Sequence, residues 1–197
     1  MIQIFLQRGI DVNIRGDDQW QLTALTIAAG FDKITSLRML LDNNADPDLK
    51  DEIDGVTALM IAAENDYPDI LAELLVRGAD DKIENNHGKT ALQLAEEKNN
   101  QDVVRMFTAW SNKNTLNEEM LKAAREGRWR LVIALIRAGA DVKTTDEDGN
   151  TGLIMMNEGL VKAAREGAKE NVWAFKNSLI CLYKRCFSKN TSCREEL

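Results

Sequence analysis

The stretches TALTIAA (Thr23–Ala29), TALMIAA (Thr57–Ala63) and TALQLAE (Thr90–Glu96) return at intervals of 34 and 33 residues, and TGLIMMN from Thr151 is a degraded fourth copy. Self-similarity at a period of a few tens of residues points to one supersecondary unit used repeatedly. A second landmark keeps the same beat: GIDVNIR from Gly9, NADPDLK from Asn44, GADDKIE from Gly78 and GADVKTT from Gly139. Each follows an apolar helical run, namely IQIFLQR, LRMLLDN, ILAELLVR and LVIALIRA.

Each landmark has a physical use. A threonine one step before a helical run can accept a hydrogen bond from an exposed amide of the first turn, so Thr23, Thr57, Thr90 and Thr151 are predicted to open helices. The paired alanines (Ala28 with Ala29, Ala62 with Ala63, Ala123 with Ala124) let neighbouring helices approach closely. Ile70, Leu71, Leu74 and Leu75 recur at helical spacing and supply the apolar face of a second helix. Gly9, Gly78 and Gly139 suit a left-handed residue just past its last turn. The expected fold is all-α: a solenoid of stacked antiparallel helix pairs joined by short hairpin loops.

The expected organisation follows from this register. Met1 to about Arg15 is half a repeat, and full repeats fall near 16–50, 51–84 and 85–110, so that 1–110 forms one stack. After Phe107 the beat slips, because Ala123 and Ala124 lie 28 residues beyond Ala95 and Glu96. Residues 111–159 are read as one to two further degenerate repeats that either continue the stack or restart it. NEEMLKAAREG (117–127) and NEGLVKAAREG (157–167) share eight of eleven residues, as in a duplicated unit. Residues 160–197 are read as a basic helical tail, with Trp173, Phe175, Tyr183 and Phe187 set among basic residues. It is a cap on the stack, a docking or membrane-surface helix, or a disordered or aberrant end.

Composition narrows the function. With 44% hydrophobic and 29% charged residues in 197, this is the balance of a folded protein. Residues 160–197 carry eight Lys/Arg against four Asp/Glu, or +4, whereas residues 1–159 carry 17 against 28, or −11. An acidic body repels a phosphate backbone, so nucleic acid is a poor partner. No apolar run approaches the roughly 18 residues of a membrane span. The opening MIQIFLQRGI has an arginine within its short apolar stretch and does not read as a secretory signal. Cys181, Cys186 and Cys193 fit neither a disulfide framework nor a zinc site. These features lead us to expect a monomeric, intracellular, cytoplasmic protein, with the nucleus also compatible.

Catalytic groupings are absent. His87 is the sole histidine, so neither a nucleophilic triad nor a multi-histidine metal site is available. Acidic pairs such as Asp17 with Asp18 and Asp146 with Asp148 read as loop and cap residues rather than acid/base machinery. With no phosphate-binding glycine motif either, we expect no enzyme activity, no cofactor and no small-molecule substrate.

Threonine, leucine and paired alanines, then an apolar helix and Gly-Ala-Asp at a 33-residue beat, together resemble ankyrin repeats, over about 1–159 and most strongly over 16–145. The match is imperfect. Where the family has proline after the threonine this chain has Ala24, Ala58 and Ala91. Where the family has histidine it has Thr26, Met60 and Gln93, so the family's Thr/His hydrogen bond is missing. The resemblance implies a scaffold that binds another protein along a concave surface made of hairpin fingertips and the exposed sides of first helices. Carried over position by position, it puts Trp20, Ile53 and His87 on successive fingertips, with Leu22, Val56 and Lys89 just before the threonines. Phe31, Glu64, Asn65, Tyr67, Glu97 and Lys98 then line the groove after the alanines. Trp20 and Ile53 are either partner anchors or packing for the next finger, and Trp129 falls at a core position. A docking or regulatory piece of a larger enzyme or channel is the alternative reading.

Overall fold

The computed structural model describes residues 9–17, 21–112, 115–152 and 154–155. Among them are eight helices: α1 (Ala24–Gly30), α2 (Ile34–Asp42), α3 (Ala58–Glu64), α4 (Pro68–Val76), α5 (Ala91–Glu97), α6 (Gln101–Ser111), α7 (Leu116–Arg125) and α8 (Trp129–Ala138). Extended pairing among these residues is limited to two isolated antiparallel bridges, Arg15 with Thr23 and Thr145 with Thr151. The fold is the expected all-α stack of helix pairs.

Thr23, Thr57 and Thr90 start α1, α3 and α5 as the sequence requires, and the Thr151 hydroxyl makes the equivalent bond. Thr23 Oγ1 accepts from Thr26 N–H at 3.2 Å, Thr57 from Met60 N–H at 3.4 Å, Thr90 from Gln93 N–H at 3.4 Å and Thr151 from Ile154 N–H at 3.3 Å. Two of the departures at the third position carry their own compensation. Gln93 Oε1 accepts from Thr90 N–H at 2.8 Å and completes a reciprocal cap, and the Thr26 hydroxyl donates to Thr23 C=O at 2.8 Å. Met60 offers no such bond and is instead fully buried.

Each pair closes by the same turn. Asp32, Asp66, Asn99 and Gly127 adopt φ of +56°, +54°, +58° and +73°. The amide that follows each donates back to an alanine carbonyl of the first helix: Lys33 to Ala28 (2.9 Å), Tyr67 to Ala62 (3.0 Å), Asn100 to Ala95 (2.9 Å) and Arg128 to Ala123 (3.0 Å). Asp, Asn and Gly tolerate this left-handed geometry better than other residues, which is why the four positions hold those types. The unit 116–138 is thus built like the earlier pairs, 28 residues after the third.

Helices α1, α3 and α5 pack side by side in one row, and α2, α4 and α6 in a second. Alanines at the contact are nearly or fully buried (Ala28, Ala29, Ala58, Ala62, Ala63, Ala91, Ala95), as are Leu37, Leu59, Ile70, Leu71, Leu74 and Met106. Removing one such leucine side chain costs about 2–5 kcal/mol. Neighbouring pairs are also tied at their loops: Asn13 Oδ1 accepts from Asp46 N–H (2.8 Å) and Asp48 Oδ1 from Asp80 N–H (2.9 Å).

The last pair does not extend these rows. Helix α6 runs to Ser111 without a left-handed terminator, Asn112 is extended at φ −133°, and α7 begins at Leu116. Among the described residues no hairpin carries the chain back to the first row. Instead α8 lies across the outer side of α4 and α6, making a third layer, with α7 packed on α8. Leu131, Val132, Ile133, Ala134 and Leu135 are buried in succession, as befits a helix covered on all sides, and Trp129 packs partly buried beside them. Among the described residues, no helix is long and apolar enough to cross a membrane.

Candidate functional site

The hairpin loops ahead of α3, α5 and the Thr151 turn are each organised by one side chain. Asp51 accepts from the amides of Ile53 (3.0 Å), Asp54 (2.8 Å) and Gly55 (3.0 Å), Asn85 from His87 and Lys89 (both 3.0 Å), and Asp146 from Asp148 (3.0 Å) and Asn150 (2.8 Å). The Asp146 side chain is only 3% exposed, and these amides together with Arg125 at 3.2 Å hold its carboxyl below the ordinary carboxylate range. Sequence reasoning did not single out Asp51 or Asn85. Their signal is an Asp or Asn five or six residues before the helix-opening threonine. Neighbouring fingers are joined, since Asn86 donates to Asp54 C=O through its amide N–H (2.9 Å) and to Ile53 C=O through its side chain (2.8 Å). Farther along, Lys50 Nζ donates to Glu84 C=O at 2.7 Å.

On this frame the predicted contact residues divide by position. Ile53 is 43% exposed on its fingertip, and His87 is exposed on the next, with Nε2 at 3.7 Å from Asp54. Leu22 and Val56 are half-buried at the foot of their fingers, and Val56 packs on the core. Lys89, at the equivalent place, forms an ion pair with Glu97 at 2.7 Å. Phe31, immediately past α1, is 70% exposed. Glu64 ends α3, the Asn65 side chain donates to Ile61 C=O at 2.9 Å, and Lys98 is exposed past α5. Trp20 lies outside the described residues, as do residues 160–197.

Tyr67 has a different neighbour from the others. It precedes α4 at the turn between the two rows, and the Arg130 guanidinium of α8 sits over its ring at 4.9 Å. Arg130 also pairs with Asp32 and Asp69, both at 2.7 Å. This cluster was missed in sequence because Arg130 and Asp32 are 98 residues apart and meet only through the third layer. Nearby, Arg105 joins Glu119 and Glu126, and its hydrogen bond holds the Glu126 carboxyl below the usual range.

No group of three or more His, Cys, Asp or Glu positioned to hold a metal occurs among the described residues. The polar side chains at the fingers hold loops together.

Against known families, the profile described as "Ankyrin repeats (3 copies)" matches residues 25–117. These are ankyrin repeats. Modules of this family are generally protein-interaction modules and typically non-enzymatic. Similar proteins include the ankyrin repeat protein FPV031 of Fowlpox virus (strain NVSL), 33% identical over 95 residues, which are 48% of this chain and 28% of that protein. The potassium channel AKT2/3 of Arabidopsis thaliana is 30% identical over 117 residues (58% of this chain, 14% of the channel). Protein fem-1 homolog A of Bos taurus is 41% identical over 68 residues (34% of this chain, 10% of that protein). The chain therefore spans less than a third of the length of each of these relatives.

Proposed function

We propose that this ankyrin-repeat chain is a protein-binding scaffold that holds a segment of a partner protein along the flank formed by its fingertips and first helices. The observation that carries the reading is Phe31, an aromatic side chain left 70% exposed just past α1, with Ile53 also open on the fingertip ahead of α3. Apolar side chains at such places contribute little to folding, whereas buried aromatic anchors dominate the energy of protein interfaces. Leu22, Val56, Glu64, Asn65, His87, Lys89, Glu97 and Lys98 make up the rest of the proposed surface, and Trp20 belongs with them by its sequence position. Tyr67, beneath Arg130, serves the joint between layers.

The test is affinity capture from the native cell with the full chain and with a Phe31→Ala/Ile53→Ala variant. The variant should lose its partner by about tenfold or more while its far-ultraviolet circular dichroism stays unchanged. Equal capture by both rejects these anchors.

A second reading is supported by the relatives: the array is a docking or regulatory segment within a larger multidomain protein, such as an enzyme or channel. The potassium channel match, in which the aligned stretch is 14% of the whole, favours it.

A further inference from the structure

We infer that the partner segment carries an apolar residue and, about three positions away along an extended backbone, a single arginine or lysine. This deepens the groove reading above and rests on it. The groove changes character from repeat to repeat. In the first repeat it is apolar: Leu22 at the foot of the finger, Phe31 past the helix, and Gly30 at the position that Glu64 and Glu97 occupy in the second and third. In the second, Val56 continues the apolar edge and Glu64 brings a carboxylate. Among the described residues no hydrogen bond or ion pair engages that carboxylate, and only the Glu64 backbone carbonyl is used, by Asn100 at 2.9 Å. In the third, Lys89 and Glu97 neutralise each other at 2.7 Å, and Lys98 adds a positive charge.

A chain laid along the groove therefore meets, in order, an apolar seat, the Glu64 carboxylate, unpaired among the described residues, and a positive end. Packed helices stand about 8–10 Å apart, and an extended peptide advances about 3.3–3.6 Å per residue, so adjacent repeats are about three residues apart on the ligand. An apolar side chain against Phe31 removes exposed aromatic surface from water. A cation at Glu64 compensates the charge that such a contact would otherwise desolvate. A second cation one repeat on would face Lys98, which limits the requirement to one. The net charge of −7 adds a long-range attraction for basic segments.

The experiment is selection of a random phage-displayed peptide library against the immobilised full chain, with Glu64→Lys and Phe31→Ala variants run in parallel and checked for unchanged circular dichroism. Peptides selected by the parent chain should pair an apolar residue with Arg or Lys about three positions away. Glu64→Lys should switch that position to Asp or Glu and weaken the parent-selected peptide by about tenfold or more, and Phe31→Ala should erase the apolar preference. Selection of the same basic peptides by Glu64→Lys, or of no basic residue by the parent, overturns the proposal. If such peptides still depend on Phe31 and Ile53, the groove reading survives and only its chemistry falls. Peptides that bind the Phe31→Ala/Ile53→Ala variant undiminished sink both.

Discussion

A few residues fix backbone shape at the fingers. Gly55 stands at φ +67°, and a Cβ there would come within 2.5 Å of Asn86 Oδ1 and 3.1 Å of the Asn86 amide nitrogen. Gly55→Ala should therefore cost about 1–2 kcal/mol in backbone strain alone and also push the second and third fingers apart, seen as a lower melting temperature and faster proteolysis between Asp51 and Val56. The carboxylates respond to acid in opposite directions. Asp146 and Glu126 hold their protons less tightly in the folded chain than in the unfolded one, so their stabilisation is present above the ordinary carboxylate range and fades as pH falls through it. Asp66 is shifted upward by burial, so acid favours its folded form. Thermal unfolding followed at about pH 7 and about pH 3 should show a smaller acid-induced loss for Asp146→Asn than for the parent. A loss of equal size would mean that Asp146 is not part of the acid response. The threonine caps were legible in the sequence because capping is local chemistry, complete within four residues. The loop-organising roles of Asp51 and Asn85 were not, because their partners are backbone amides whose direction is set only once the turn has formed.

Helix α8 was visible as an apolar run, and the 28-residue offset showed that the beat had slipped. Its seat on α4 and α6 was not readable, since the apolar face of a helix names no particular neighbour. The missing hairpin after α6 is what frees it from the first two rows. Arg130 joins this seat to the turns of the first two pairs, through Asp32 and Asp69 and over the Tyr67 ring. These groups are partly open to solvent, so Arg130→Ala should cost only about 1–2 kcal/mol, and the difference from the parent should shrink in about 1 M salt. Leu131→Ala, at a fully buried site in α8, should cost about 2–5 kcal/mol whatever the salt. Denaturant titrations at two ionic strengths separate the two, and a loss for Arg130→Ala that ignores salt would argue that it acts by packing alone.

Across the whole molecule, the repeating threonines, alanines and glycines gave away the architecture because each repeat must solve the same local problems of starting, crossing and ending a helix. The proposed partner chemistry was harder to read, since the residues of the proposed groove differ from repeat to repeat. The tie from residue 130 back to residue 32 has one more consequence. A simple linear array can fray from either end like a zip, losing one unit at a time. Here a clasp of about 1–2 kcal/mol ties the first turn to α8, so release of the first unit carries that added cost. Hydrogen exchange at the amides of α2 should then quicken by about tenfold in the Arg130→Ala chain, with those of α4 changed less.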